Sequence, residues 1–476
     1  MRALDLKLLR DLWHLRGQAL AIALVLAAAT ATFVMSLGVH RSLTETRDAY
    51  YARNQFADVF ATMTRAPRSI VARVADIPGV RRAEGTLQQY ATLDFPDRSV
   101  PVRALINSVD EERGNRLNQL TLREGRLPRF GYPEEAVVDE AFAKANALGV
   151  GDRIDALIYG QKQSLQIVGT GLAPDFIYAL APGDILPDDQ RFGVFWMGQK
   201  ALEAATDRTE AINTLSIALE RGASEADVIR AVDAFLAPYG GTGAFGRKDQ
   251  LSHAFIENEL MQLDAMTRVI PPVFLLVAVF LVYIVLGRMI RTERTQIGLL
   301  KAFGYTDWAI GGHYLKFALA IALLATLMGS AAGIWMGSEM TQIYARYYRF
   351  PFLRYHVAPS LIMAAAGLSF AAAAIGALGG VRSAIRLNPA VAMSPPPPPV
   401  YRAGMVEHWG KAAGFSAIGH MIVRHIARWP GRSAITIFGV ALSGGLLFAT
   451  TQFIDSSRTM LDSYFFRAQR QDLTVV

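Results

Sequence analysis

Residues that could carry out catalysis are present in this sequence, but their spacing matches no catalytic motif. Eight histidines are scattered over 476 residues, and His420 and His425 are five positions apart, so they miss a shared helical face. The stretch GMVEHWGKA, at 404–412, is one residue too long for a phosphate-binding loop and has Ala412 where that loop needs a magnesium-binding hydroxyl. We predict no catalytic residues, no metal site and no cofactor, so energy for any work must come from another chain.

The composition predicts a membrane protein, because 52% of the residues are hydrophobic and only 19% are charged. Five stretches lack charged residues over about the length of a membrane-spanning helix. They are 19–39, 269–287, 317–338, 357–381 and 433–454. The first could instead be a signal peptide, but its apolar part is long and no clear A-x-A cleavage site follows, so we interpret it as an anchor. The absence of Asp and Glu from all five stretches argues against a carrier or channel built on intramembrane carboxylates.

The basic residues indicate an orientation in the membrane. Lys and Arg precede the first apolar stretch, follow the second, and lie between the fourth and fifth, as is typical of cytoplasmic segments. We therefore place the N-terminus in the cytoplasm and residues 41–268 outside it. These segments largely explain the net charge of +7, which disfavours a nucleic-acid partner. The absence of Cys means that the external block has no disulfides, and a bacterial inner (plasma) membrane fits best.

The predicted fold is an α-helical membrane protein with an extracytoplasmic α+β domain. Strand-like runs alternate with helical runs in the external block, and from Gln250 a helical period leads into the second apolar stretch. The predicted parts are a cytoplasmic segment (1–17), a membrane helix (18–40), the external domain with a stalk helix (41–268), a membrane helix (269–290), a cytoplasmic segment (291–312), a membrane helix (313–338), an external loop (339–356), a membrane helix (357–381), a cytoplasmic Pro-rich linker (382–432), a membrane helix (433–454) and the start of a second external domain (455–476).

The segment RTERTQIGLLKAFGYTDWAI, at 291–310, is charged and amphipathic and lies between two apolar stretches. Ile297, Leu300 and Gly304 share one helical face, Lys301 adds a cation, and Thr306 is suited to cap the next helix. Such a helix can insert apolar side chains into a partner's groove while its cations fix the orientation. The alternative is a segment that rests on lipid headgroups and contacts no protein.

This segment resembles the cytoplasmic motif of MacB/FtsX-type ABC transporter permeases, approximately R-x-E-I-G-x-x-[RK]-A-x-G-[AY]. The matching residues are Arg294, Gln296, Ile297, Gly298, Lys301, Ala302 and Gly304. Gln296 stands where the family often has Glu. VRSAIRLNPAVAM, at 381–393, is similar to the family's basic exit from the membrane, and LREGRLP, at 122–128, is similar to part of its MacB-like periplasmic core domain.

The resemblance implies a non-catalytic permease subunit in which residues 294–304, Leu300 included, couple to an ABC-type ATPase. It also implies work on lipids, lipoproteins, peptides or periplasmic partners, with a periplasmic adaptor as a further partner. The alternative is a membrane-anchored receptor whose external domain senses a ligand. A receptor would normally carry a cytoplasmic signalling domain, which is not visible in the sequence.

Two parts of the chain, starting at Leu15 and Trp429, align without a gap. The identities in polar sequence indicate a duplicated unit. They pair Ser42 with Ser456, Tyr50 with Tyr464, Arg53 with Arg467, Gln55 with Gln469 and Asp58 with Asp472. We expect the second copy to continue past Val476 and to form a pseudo-dimer with the first, or the chain to form a homodimer. The run SPPPPP, at 394–399, is predicted to be an extended spacer, with an SH3-type ligand as the alternative.

Two further patterns concern packing. Gly329, Gly333 and Gly337 recur every four residues and predict close approach of another helix, either within the chain against the second or fourth membrane helix, or in a dimer. An aromatic cluster follows the third membrane helix and indicates the outer membrane interface, with substrate contact as the alternative. Its members are Tyr344, Tyr347, Tyr348, Phe350, Phe352 and Tyr355.

Overall fold

The computed structural model describes residues 3–95, 98, 100–112, 114–184, 186–393, 416, 418, 421–422 and 430–463. They form two compact units. One comprises 1–39, 263–338 and the chain from 356, and the other comprises 40–262 and 339–355. We call them the membrane unit and the external unit. The run SPPPPP, the stretch 404–412, His420, His425 and the end of the predicted repeat from Tyr464 lie outside the described residues.

The helices of the described chain are α1 (Ala3–His14), α2 (Arg16–Arg53), α3 (Ile70–Ala75), α4 (Glu140–Ala145), α5 (Gln199–Ala205), α6 (Glu225–Leu236), α7 (Leu251–Thr292), α8 (Arg294–Ala302), α9 (Asp307–Tyr347), α10 (Pro359–Ile385), α11 (Pro389–Met393) and α12 (Pro430–Asp462). The strands are β1 (Val59–Pro67), β2 (Val80–Thr86), β3 (Gln88–Asp94), β4 (Val102–Val109), β5 (Thr121–Gly125), β6 (Glu135–Asp139), β7 (Arg153–Ile158), β8 (Gln161–Leu172), β9 (Phe192–Gly198), β10 (Ala211–Leu219) and β11 (Gly241–Gly246). Helices α2, α7 and α9 each contribute residues to both units.

The external unit contains two sheets. The smaller has the order β11-β1-β10-β2, is antiparallel throughout, and shares a core with α3 and α6. The larger has the order β5-β8-β6-β9-β4-β3-β7, and an additional pairing of β7 with β8 links six of its strands into a ring. Every residue of β9 is buried, as expected for a strand with both faces covered. This α+β architecture agrees with the predicted class of the external block.

Local signals explain the positions of two helices in the external unit. Ser224 begins α6 by accepting a hydrogen bond from the backbone N–H of Asp227, and the buried Val228, Val232 and Leu236 follow at helical spacing. Asp139, at the end of β6, accepts a hydrogen bond from the backbone N–H of Phe142 and so begins α4. The turn from β6 into α4 is therefore set by one carboxylate.

The core of the membrane unit is built from small and branched residues of α2, α7, α9 and α10. They include Ala23, Leu26, Ala278, Val282, Ala322 and Ala373. The Thr30 Oγ1 and Ser369 Oγ atoms, both in buried side chains, lie 2.8 Å apart and join α2 to α10. Helices packed through small residues approach closely, and interhelical hydroxyl contacts then satisfy polar groups that lipid cannot.

Gly329 and Gly333 of α9 lie against α2. A Cβ added at Gly329 would lie 2.6 Å from the Ala27 carbonyl oxygen, and one at Gly333 would lie 2.7 Å from that of Ala31. Gly337 is also buried. The sequence left open a neighbour within the chain, either the second or the fourth membrane helix, and a contact in a dimer. The observed neighbour of Gly329 and Gly333 is α2, the first membrane helix, whose backbone oxygens occupy the space that a side chain would need.

Among the described residues, four helices are long and apolar enough to cross a membrane: α2, α7, α9 and α10. The fifth predicted span, 433–454, lies within α12, whose apolar part in the described chain is the shorter Thr436–Gly445. A fifth membrane crossing therefore stays a prediction. Helix α7 continues through Pro271 and Pro272 without interruption.

Candidate partner-docking site

The segment that follows α7 forms a short, closed corner. Helix α8 ends at Ala302, and Gly304 then adopts the left-handed conformation, with φ of 90°. The backbone N–H of Tyr305 donates to the Leu300 carbonyl at 3.1 Å, which is the pattern of a helix terminated by glycine. Thr306 Oγ1 accepts a hydrogen bond from the backbone N–H of Ala309, which confirms its predicted role as the cap of the next helix. The corner between α8 and α9 therefore has a defined backbone.

The face of α8 that the sequence assigned to a partner packs on the core of the chain's own membrane unit. Ile297 is 0% exposed and belongs to the hydrophobic core of the membrane unit, against which Leu300 also packs. A Cβ added at Gly298 would lie 2.8 Å from Ala392 Cβ, so α8 lies directly on α11. This corrects the expectation that Ile297 and Leu300 project towards a partner. Because both side chains pack within the chain, this apolar face of α8 needs no partner protein to cover it.

Lys301 and Arg294 bind backbone oxygens of the same unit. The Lys301 side chain is 8% exposed, and its Nζ donates to the carbonyls of Ile385 and Leu387 at 2.7 and 2.9 Å. It also lies 2.7 Å from Asp307 Oδ1. Arg294 donates to the Val391 carbonyl. A cation at the C-terminus of α10 is favoured by the unpaired carbonyls there. Lys301 therefore joins α8 to the end of α10 and is not the outward-facing cation that was predicted.

The substitution Lys301→Glu is expected to lower the thermal stability of the protein. A carboxylate at this position would face two carbonyl oxygens, and their loss of a donor costs about 1–3 kcal/mol for each buried group left unsatisfied. Thermal unfolding of the purified protein in detergent, at low and at high salt, measures the change. We expect the same decrease at both salt concentrations, because a buried contact is little screened.

Arg382→Glu is the matched control, since Arg382 is exposed at the end of α10. It should leave the unfolding temperature nearly unchanged. A decrease in the unfolding temperature of Lys301→Glu that disappears at high salt would instead identify Lys301 as an exposed surface charge. It would contradict the buried contact between Lys301 and the end of α10.

The opposite side of the corner exposes large apolar side chains. Phe303 is 74% exposed and Trp308 is 84% exposed, and Leu299 and Tyr305 are exposed as well. We call Leu299, Phe303, Tyr305 and Trp308 the corner face. Ala302 and Gly304 are exposed beside it, and Gln296 is exposed near α1. Sequence reasoning missed the corner face, although Leu299 and Phe303 are four positions apart and share a helical face.

A polar network joins α1 to Glu293, which precedes α8, and to the start of α9. Lys7 Nζ lies 2.5 Å from Asp11 Oδ2 and 2.7 Å from Glu293 Oε2, and Tyr314 Oη donates to the same Glu293 oxygen at 2.9 Å. His313 Nε2 lies 3.3 Å from Asp11 Oδ2. The network joins α1 to the residue that precedes α8 and to the first turns of α9. The signal for it in the sequence is the four-residue spacing of Lys7 and Asp11 on α1.

The aromatic cluster after the third membrane helix packs within the external unit. The ring centroids of Tyr348 and Tyr178 are 5.6 Å apart, and those of Tyr50 and Phe350 are 6.2 Å apart. Tyr344 Oη donates to Glu259 on α7. Tyr344, Tyr348 and Phe350 therefore contact protein groups, whereas Tyr347 and Phe352 are exposed, and a position of the cluster at the outer membrane interface stays a prediction.

Arg349 fixes the same segment to the larger sheet. Its side chain is 4% exposed, and its guanidinium lies 3.1 Å from the Oδ2 atom of the fully buried Asp139 and also contacts Asp189. Its backbone N–H donates to the Ile177 carbonyl at 2.8 Å. Burial raises the pKa of the Asp139 carboxyl, and the Arg349 guanidinium counteracts that rise. We call residues 339–355 the return segment.

Comparisons with known proteins match two regions of the chain. The family described as FtsX-like permease C-terminal matches residues 268–389, and the MacB-like periplasmic core domain matches residues 19–235. An uncharacterized ABC transporter permease of Mycoplasma genitalium is 23% identical over 199 residues, which are 39% of this chain and 15% of that protein's length.

Two solved structures are similar in their external parts. The periplasmic region of MacB from Actinobacillus actinomycetemcomitans aligns with 43% of this chain and 92% of its own, at 8% identity and a TM-score of 0.28. The extracellular domain of the noncanonic ABC-type transporter YknZ from Gram-positive bacteria aligns with 40% of this chain and 98% of its own, at 10% identity and a TM-score of 0.26.

Apolar helices of spanning length, joined in one chain to a MacB-like α+β domain, fit an ABC transporter permease of the inner membrane with a periplasmic domain. The two matched regions are those of MacB/FtsX-type ABC transporter permeases, a family in which the permease is generally non-catalytic and an ATPase is the expected partner.

Proposed function

We propose that this permease receives force from a separate ABC-type ATPase at the corner face and passes it to its external unit. The observation that carries this proposal is the exposure of Phe303 and Trp308 on a corner whose other side is buried. Large exposed aromatic side chains are the residues that most often anchor protein partners. The resemblance of residues 294–304 to the family's coupling motif supports the same assignment. The motif residues Ile297, Gly298 and Lys301 then act by holding the corner to the core.

The corner is well suited to pass on a displacement. Ile297 and Leu300 pack on the core of the membrane unit, Lys301 binds the end of α10, and Glu293 is joined to α1 through Lys7. A push on the corner face therefore acts on several helices together. Helices α7 and α9 also contribute residues to the external unit, where the return segment is fixed by Arg349.

The remaining assignments belong to the same proposal. The N-terminus and the corner lie in the cytoplasm, and the external unit works on a lipid, a lipoprotein or a peptide. The permease acts as a homodimer, or as a pseudo-dimer with a second repeat, and engages a periplasmic adaptor. The basic residues beside the apolar stretches and the internal sequence repeat support the orientation and the pairing.

Single-cysteine labelling tests both the orientation and the partner. The natural chain has no Cys, so a cysteine at Gln161, on the β7–β8 hairpin, or at Tyr305, on the corner face, is the only thiol present. An impermeant maleimide on intact spheroplasts should label Q161C and leave Y305C unlabelled. In inside-out vesicles, Y305C should be labelled, and adding the ATPase subunit should slow its labelling about ten-fold or more.

Thr295→Cys provides the matched control on α8, because Thr295 is exposed and does not belong to the corner face. Equal protection of T295C and Y305C would show general shielding of the membrane surface and would contradict docking at the corner face. Labelling of Y305C in intact spheroplasts would overturn the orientation.

A further inference from the structure

A cleft of about 540 Å³ opens between α1, the first turn of α2 and the last turns of α7. All of its lining residues belong to the membrane unit. Its lining includes the apolar Leu15, Val285 and Met289 and the basic Arg10, His14 and Arg288. A site with an apolar wall and a basic rim is complementary to an amphiphile that carries a negative charge.

The basic side chains that line this cleft have no polar partner among the described residues. Within the described part of the chain, no hydrogen bond or ion pair is formed by the side chain of Arg10, His14 or Arg288. The two carboxylates that also line the cleft are engaged. Asp11 binds Lys7 and His313, and Glu293 binds Lys7 and Tyr314. Because Lys7 compensates one carboxylate, the two arginines outnumber the one that remains, and the cleft is left basic.

The cleft lies at the ends of two apolar stretches of membrane-spanning length. Arg288 directly follows the charge-free stretch 269–287, and Gln18, which also lines the cleft, directly precedes 19–39. Helix α1 exposes Leu6, Leu9 and Trp13, which is typical of a helix that lies in the membrane interface. A lipid beside these two stretches would bring its headgroup to the cleft.

We propose that the cleft binds the phosphate group of an anionic phospholipid, held by Arg10 and Arg288 while the glycerol and upper acyl chains lie on Leu15 and Val285. Phosphate is also available as a free anion. The lipid is the favoured source because an apolar wall at the bilayer boundary contributes nothing to binding a free anion. The ATPase is not required for this binding, so the lipid site and the proposed function can fail separately.

Lipid binding can be measured on the full chain, without ATPase, in nanodiscs of phosphatidylcholine with a minor fraction of phosphatidylglycerol. Native mass spectrometry after gentle detergent release counts the retained lipids, and a titration gives the affinity. We expect phosphatidylglycerol to be retained in preference to phosphatidylcholine. Arg10→Gln with Arg288→Gln should weaken its retention about five-fold for each arginine removed, since a cation near a lipid surface contributes about 1 kcal/mol.

Arg382→Gln with Arg386→Gln removes the same charge from the end of α10, and neither residue lines the cleft. This control should retain phosphatidylglycerol like the natural chain. Equal losses in both double variants, or equal retention of the two lipids, would overturn the proposal. Displacement of bound lipid by inorganic phosphate at similar concentration would overturn the lipid as the source. Unfolding temperatures in pure phosphatidylcholine should match between the variants, and retention by Arg288→Lys should support the site even if the double variant folds poorly.

Discussion

Permease in which Phe303 and Trp308 are both replaced by aspartate is expected to remain folded and to lose its ATPase subunit. Both side chains are largely exposed in the free chain, so the substitutions leave the core of the membrane unit intact. In the complex, each aspartate would place a carboxylate in a groove suited to an aromatic ring. The loss of an interface anchor typically costs about 2 kcal/mol or more, which is about a 30-fold loss of affinity.

The measurement is co-purification of the ATPase with tagged permease, together with ATPase activity in nanodiscs with and without the permease. Ile297→Asp is the informative contrast, because Ile297 is fully buried and an unpaired carboxylate there costs several kcal/mol of folding free energy. That variant should be lost from the membrane or unfold at lower temperature. Normal ATPase retention by the double variant would show that the corner face rests on lipid headgroups, and the docking assignment would be abandoned.

The contrast between Ile297 and Phe303 shows how far the sequence could locate this site. The segment 291–312 could be identified as a candidate docking segment because its charge and amphipathic character, between two apolar stretches, are properties of the sequence itself. Which of its two apolar faces is free could not be predicted, since Ile297 with Leu300 and Leu299 with Phe303 both follow a helical period. The face that contains Ile297 is buried because α11 and the end of α10 cover it, and they leave the face that contains Phe303 exposed.

Membrane helices and external strands could be predicted from the sequence more readily than ionic contacts could. A charge-free stretch of spanning length is a local property, and four of the five predicted stretches lie in α2, α7, α9 and α10. The partners of Lys7, Lys301 and Arg349 are far from them in the chain and are set by helix packing. From the sequence alone, each of these cations could equally be interpreted as a residue exposed at the membrane surface.

Arg349→Met is expected to destabilise the external unit and to release the return segment from it. Arg349 is nearly fully buried, and its removal would leave Asp139 buried without a counter-charge. Breaking a buried ion pair by removing one partner costs about 3–5 kcal/mol. We expect a lower unfolding temperature and faster proteolysis of the return segment. ATP hydrolysis by the bound ATPase should continue while transport falls, because the corner face is unchanged.

The double variant Arg349→Met with Asp139→Asn separates the charge from the packing. Asparagine can still accept the hydrogen bond from Phe142 that begins α4, and it leaves no buried carboxylate. Stability should therefore recover by most of the lost free energy, whereas transport should stay low because the guanidinium that joins the return segment to Asp139 and Asp189 is still missing. Arg354→Met, at an exposed position of the same segment, should change neither property. Recovery of transport together with stability in the double variant would mean that Arg349 serves folding alone and that force reaches the external unit by another route.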